Sequence, residues 1–342
     1  MDEILTSDRR SVRAHSDPSI FVSWQQAMKQ AIRDGRELCN RLDLPPELAS
    51  DAAGNAFPVF VPLEFLARMK KGDPDDPLLR QVLGLSAETE SAAGFQTDPL
   101  AEKDSEPLPG LLHKYHGRAL LVTTGACAIH CRYCFRRHFP YAQVPKGKEA
   151  WQGAIDYLAQ DPSISEVLLS GGDPLTLADS MLGSLVDSLT AIPHIRRLRF
   201  HTRLPIAIPQ RITSDLITRL RSTSATIWFV VHCNHAAELD EPTLAALERL
   251  IDAGIPVLNQ AVLLKGVNDS VAALAELSMR LVDHRIQPYY LHQLDRVSGA
   301  AHFEVPAETG MDLVEQLRKQ LPGYAVPQYV QEIAGDTSKR PF

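Results

Sequence analysis

Ala119-Leu120-Leu121-Val122-Thr123-Thr124-Gly125-Ala126-Cys127-Ala128-Ile129-His130-Cys131-Arg132-Tyr133-Cys134 is the stretch on which the reading of this chain turns. Its first six residues are apolar or β-branched and predict a buried strand. That strand runs directly into a loop with the spacing C-x3-C-x2-C. It also opens a series, because runs of the same kind recur at residues 166–170, 197–202, 226–232, 256–264 and 288–294. Between them lie stretches with apolar spacing of three and four, at 149–160, 179–191, 214–221, 242–253 and 270–283. A helix over 306–320 and a last strand over 325–330 follow. Strand and helix in regular alternation predict βα units on a parallel sheet, hence an α/β fold built as a partial or complete parallel (β/α) barrel.

Residues 1–110 differ in character and read as an N-terminal helical extension with a linker. Helical patches at 24–42 and 62–70 are joined by connectors such as Lys71-Gly72-Asp73-Pro74, and the polar stretch 86–109 reads as loop. The barrel is expected over 111–330. Charge totals 35 Lys and Arg against 42 Asp and Glu, a net of −7, which leaves no basic footprint for a nucleic acid. The residues from Met1 to Asp8 are acidic where a secretory signal would be basic. No apolar run approaches the ~18–20 residues of a membrane span. A cytoplasmic, reducing setting is therefore expected, without membrane or nucleic-acid partners. There, five cysteines point to metal or catalytic chemistry rather than disulfides. Cys39 and Cys233 read as ordinary buried thiols.

Polar residues collect at the predicted strand ends: Ser170-Gly171-Gly172-Asp173, His201-Thr202-Arg203, His232 to His235, Asn259-Gln260 and His292 to Asp295. In a βα barrel that rim is where active sites form. Cys127, Cys131 and Cys134 can converge on one metal centre. On a four-iron cluster, three protein ligands would leave one iron open to a small molecule. A zinc site using the same cysteines plus His130 or His138 is the alternative, and so is a coincidence of three thiols.

The triplet after the first strand, paired with the Gly-Gly-Asp turn after the second, resembles the radical S-adenosylmethionine superfamily. Further motifs narrow the resemblance: Phe57-Pro58-Val59, Lys71-Gly72-Asp73-Pro74, His113-Lys114-Tyr115, Cys131-Arg132-Tyr133-Cys134-Phe135-Arg136-Arg137, Pro209-Gln210-Arg211-Ile212-Thr213, Asn259 to Asp269 and Gln287-Pro288-Tyr289-Tyr290. From about residue 55 onward the chain is similar to lysine 2,3-aminomutases. It looks most like the branch that makes (R)-β-lysine for modification of elongation factor P.

That resemblance implies a [4Fe–4S] cluster on Cys127, Cys131 and Cys134, with S-adenosylmethionine and pyridoxal 5′-phosphate as further cofactors. It implies S-adenosylmethionine contacts at Ser170, Gly171, Gly172, Asp173, His232 and Gln260. Lys339, in a C-terminal segment at 331–342, would attach the pyridoxal aldehyde. Lys114 and Arg118, with Arg203 a weaker candidate, would face the cofactor phosphate. Arg136 would pair with the carboxylate of the substrate L-lysine, its planar fork suiting bidentate binding. Asp295 and Glu332 would receive the distal ammonium, with Glu332 standing where the family usually has Asp. The implied reaction is a radical 1,2-amino shift. It would draw on a flavodoxin- or ferredoxin-type electron donor and be linked to a β-lysyl ligase and elongation factor P. Free-lysine metabolism, another radical enzyme and a non-catalytic zinc module stand as the competing readings.

Overall fold

A computed structural model describes residues 22–144, 147 and 149–342; the acidic Met1 to Asp8 stretch lies outside the described residues. Among the described residues nine strands form one sheet in the order of the chain, β1 (Leu111–Tyr115), β2 (Arg118–Thr124), β3 (Glu166–Gly171), β4 (Arg197–Thr202), β5 (Thr226–His232), β6 (Val257–Val262), β7 (Gln287–His292), β8 (Gln328–Gln331) and β9 (Arg340–Pro341). β2 through β8 are parallel, while β1 and β9 pair antiparallel at the two edges. The first strand does not pair with the last, so the sheet is a partial barrel and not a closed one.

The parallel strands form where the sequence offers continuous apolar runs, since helices cover one face of the sheet and side chains fill the other. In β5, Phe229, Val230 and Val231 are all fully buried, and Phe229 stacks on its register partner Phe200 of β4 with ring centroids 5.1 Å apart. The covering helices are amphipathic and capped. Glu241–Asp252 buries Leu244, Leu247 and Leu250 on one side and starts where the Asp240 side chain accepts from the Thr243 N–H. Val271–Asp283 buries Leu274, Leu277 and Leu281 and is capped by Ser270. Among the described residues no helix is long and apolar enough to cross a membrane.

Several expectations are corrected. The helical patch at 24–42 is two helices, Trp24–Gln30 and Gly35–Arg41, because Ile32 breaks away to bridge Val61 and Asp34 caps a fresh start. The patch at 62–70 contains only the four-residue helix Leu63–Leu66. The polar stretch 86–109 is packed rather than free. It carries two short turns of helix, Ser86–Thr89 and Glu102–Ser105, and Gln96 bridges Val297. β1 and β9 were not anticipated, since both are short and carry polar side chains at an edge. β9 ties the C-terminal segment back onto β8.

Candidate active site

At the C-terminal ends of the strands a cavity of about 520 Å³ opens. Every residue assigned to a cofactor, metal or substrate from the sequence lines it, Arg203 included. Position along the sheet sorts them. The cysteine loop leaves β2, the Gly-Gly turn leaves β3, His232 and Gln260 are register partners on β5 and β6, and Lys339 arrives on the segment after β8.

The cysteine loop is held by backbone approach on one side and buried ion pairs on the other. Gly172 donates to Thr124 O and Asp173 N–H to Ala126 O, each at 2.7 Å. A Cβ on Gly172 would lie 2.8 Å from the Gly125 carbonyl carbon, and Gly171 has φ +114°, 2.8 Å from Thr124 O by the same construction. These glycines thus admit the close approach of the cysteine loop. Arg132 and Arg137 both reach the Glu88 carboxylate, at 2.6 and 2.7 Å, with all three side chains buried. Glu88, in a stretch read as loop, is what clamps the motif.

The donor set fits an iron–sulfur cluster. Burial and then neighbouring thiols push Cys134 up to about 12 and Cys127 well above the usual thiol range. Thiols raised in this way become thiolates together only beside a positive centre. Among the described residues no three His, Cys, Asp or Glu side chains gather closely enough for a single ion. The histidines a zinc site would draw on each bond a main-chain carbonyl through one ring nitrogen. His130 Nδ1 is 2.7 Å from Pro58 O with its ring stacked on Phe57, and the exposed His138 bonds Ser298 O at 3.0 Å.

Arg136 is buried, and its Nε and Nη2 grip Glu102 at 2.8 and 2.6 Å while Nη1 reaches Ser170 Oγ at 3.3 Å. Burial would lower the guanidinium, but Glu102 more than offsets it and holds the charge on. Glu102 had no sequence signal, coming from the same polar stretch as Glu88. Asp173 corrects an expectation: its carboxylate accepts from Thr202 Oγ1 and from the N–H groups of Leu175, Arg203 and Leu204, all within 3.0 Å. Its side chain therefore braces the β3 and β4 ends. His232 is kept neutral, lowered to about 3 by burial and Arg203, with Nε2 2.7 Å from Tyr133 Oη.

Across the cavity Glu332 accepts from Lys339 Nζ, from Lys114 Nζ at 3.1 Å and from Tyr115 Oη at 3.0 Å. Burial would raise this carboxyl, but Lys339 and Lys114 win and hold it at about 2. Lys114, expected at a phosphate, is thus an ion-pair partner of Glu332. Asp295 is raised to about 7 by burial and by the Glu332 charge. His292 is lowered to about 3 by burial and Lys339. His201 is half-buried and held neutral by its surroundings, and among the described residues its Nε2 has no hydrogen-bond partner. Arg118 stacks over Tyr115, and Arg199, Tyr289 and Tyr290 complete this wall. An orphaned imidazole nitrogen among Lys114, Arg118, Arg199 and Lys339 suits an anionic, polar cofactor. Of these, Tyr115, Tyr289 and Tyr290 were visible only as parts of motifs, and His201 and His292 only as polar strand ends.

A three-cysteine loop on an open parallel sheet, braced by a Gly-Gly turn and facing a cavity with charged ends, defines a radical S-adenosylmethionine enzyme. Residues 116–194 match the family described as a 4Fe-4S single cluster domain. L-lysine 2,3-aminomutase of Escherichia coli (strain K12) is 48% identical over 322 residues, 93% of this chain and 94% of that one. The protein of the same name from Haemophilus influenzae is 45% identical over 319 residues, 93% and 94% of the two chains. That from Clostridium subterminale is 36% identical, covering 93% of this chain and 77% of its own. A radical SAM methyltransferase from Sphaerobacter thermophilus aligns over 65% of this chain and 68% of its own, with TM-score 0.45 and 17% identity. The chain belongs to the L-lysine 2,3-aminomutase family.

Proposed function

We propose that this protein converts L-lysine to (R)-β-lysine by a radical 1,2-amino shift, and that the product serves modification of elongation factor P through a β-lysyl ligase. The observation that carries the substrate assignment is the set of charges lining this cavity. A guanidinium, Arg136, lies among its lining groups together with two carboxylates, Asp295 and Glu332, one of which already holds a lysine ammonium. A lysine zwitterion presents the complementary charges, a carboxylate and a distal ammonium. An acidic substrate side chain would instead meet like charge at Asp295 and Glu332. The identity to the lysine 2,3-aminomutases of Escherichia coli and Haemophilus influenzae supports the reaction.

Cys127, Cys131 and Cys134 would hold the cluster, the turn Ser170 to Asp173 with His232 and Gln260 would face S-adenosylmethionine, and Lys339 would tether pyridoxal phosphate with Arg118 near its phosphate. Together these groups supply a carbon-centred radical and a conjugated ring that spreads unpaired spin. The chain's own residues bind and orient. Arg136 exchanges Glu102 for the substrate carboxylate and turns the substrate's α-end toward the cysteine loop. Asp295 and Glu332 fix the far ammonium, so both ends of a flexible chain are pinned and its central carbons lie in one place. Leu112, Leu168 and Leu294 line the cavity beside the charged groups. His201, His232 and His292, all held neutral, add no competing positive charge.

Anaerobic incubation with L-lysine, S-adenosylmethionine, pyridoxal phosphate and dithionite tests the reaction, with β-lysine as the product sought. Replacing dithionite by reduced flavodoxin or ferredoxin tests the donor class. Coupling the product to a β-lysyl ligase and elongation factor P, read as a mass increase on the factor, tests the pathway. Product that stays unattached would favour free-lysine metabolism.

A further inference from the structure

Arg203 stands one residue beyond β4, and its guanidinium enters a buried polar group beneath the cysteine loop. Nη1 donates to Cys131 Sγ at 2.7 Å and to Tyr133 Oη at 2.8 Å. Nη2 donates to Gln81 Oε1 at 2.6 Å and to Glu238 Oε2 at 2.9 Å. Glu238 has no exposed surface and also accepts from Gln81 Nε2 at 3.1 Å and the Asn234 N–H at 2.9 Å. The ion pair is therefore oriented, with its positive end on the sulfur and its negative end directed away. Both ends of Arg203 are fixed, the head by Glu238 and the main chain by Asp173, which accepts the Arg203 N–H at 2.8 Å. Among the described residues no other guanidinium or ammonium donates to a cysteine of the triplet.

Reducing a cluster adds negative charge that spreads onto its ligating sulfurs. A hydrogen bond and a positive charge on one of those sulfurs stabilise the reduced state. In a buried site this interaction is little screened. Exposed arginines would not act in this way; Arg203 is 6% exposed.

We propose that Arg203 is a positioning residue that raises the reduction potential of the cluster by holding a buried N–H donor and positive charge on Cys131, with Glu238 fixing its aim. The proposal rests on Cys127, Cys131 and Cys134 being the cluster ligands. It makes electron acceptance by this enzyme depend on a salt bridge outside the ligand set.

The test is a mediated redox titration of the anaerobically reconstituted full chain without substrate, followed by electron paramagnetic resonance, with iron and sulfide measured on each sample. Arg203→Gln is expected to keep its iron and shift the midpoint to more negative potential. Glu238→Gln is expected to shift it to more positive potential, since the arginine charge is then uncompensated. The double variant Arg203→Gln/Glu238→Gln leaves no unpaired buried charge and so covers the case in which Arg203→Gln alone does not fold. It is expected below the unsubstituted protein, and Arg203→Lys between Arg203→Gln and that protein. Full iron content with an unmoved midpoint in Arg203→Gln and the double variant would overturn the proposal. So would loss of iron from the folded double variant, which would assign Arg203 to cluster assembly. If the unsubstituted protein takes up no iron, the cluster reading itself falls, and iron content separates that failure from the others.

Discussion

Glu332 receives the ammonium of Lys339, its neighbour seven residues along the chain, while its second oxygen takes Lys114 from β1. A carboxylate assigned to a substrate lysine is thus already bonded to a lysine of the protein. The same chemical group occupies the place the substrate's distal end would take, and the low Glu332 carboxyl follows from that pairing.

When Lys339 is replaced by Ala, the protein should retain its iron and lose both β-lysine formation and the visible absorption of bound pyridoxal phosphate. Product formation at the unsubstituted rate would remove Lys339 from the site. Glu332→Gln keeps the shape and loses the charge. The KM for lysine is then expected to rise about ten- to a hundredfold, the effect of losing a charge-assisted hydrogen bond of ~1.5–3 kcal/mol.

Asp295 is raised to about 7, so near neutral pH it carries a proton part of the time. An incoming ammonium pairs only with the ionised form and releases that proton. Lysine affinity should therefore strengthen as pH rises through about 7, measured by calorimetry in two buffers of different ionisation enthalpy. Asp295→Asn should flatten that dependence and weaken binding.

Arg136 meets Glu102 through two parallel hydrogen bonds, a geometry a lysine cannot reproduce. Arg136→Lys should lower kcat/KM by ~10²-fold, near the upper end of what one charge-assisted pair contributes. 1,5-Diaminopentane, which lacks the carboxylate, should fail to compete with lysine in the unsubstituted enzyme. Competition at lysine-like concentrations would show that Arg136 does not recognise the carboxylate.

Glu88 neutralises two buried arginines of the cysteine motif. Glu88→Ala leaves both without their carboxylate, and breaking such a buried pair costs about 3–5 kcal/mol. Urea unfolding should show a loss of that size, whereas Glu37→Ala, at an exposed pair, should change stability little.

Gly172→Ala places a methyl against the main chain of Gly125 and Ala126. Neither can yield without moving the cysteine loop. Iron per chain should fall and the thermal midpoint should drop, since forced overpacking costs ~1–3 kcal/mol. Full iron loading in this variant would show that the turn is not what positions the loop.

The triplet Cys127, Cys131 and Cys134, the Gly-Gly-Asp turn and the alternation of apolar strand and amphipathic helix were legible because each is local. Spacing within a loop, periodicity within an element and position after a strand are all properties of neighbouring residues. From them the sequence by itself determined a parallel α/β architecture, the rim on which the site lies and the motifs by which the chain resembles its family. The tertiary structure alone decided which charges meet. Glu88 with Arg132, Glu102 with Arg136, Lys114 with Glu332 and Arg203 with Cys131 are separated by 44, 34, 218 and 72 residues. No periodicity encodes such pairs. The edge strands β1 and β9 were equally hidden, because an edge strand is short, half polar and specified by its partner. A buried ion pair forms only where packing has excluded water and brought two distant segments together, so its partners are a property of the folded interior and of nothing shorter.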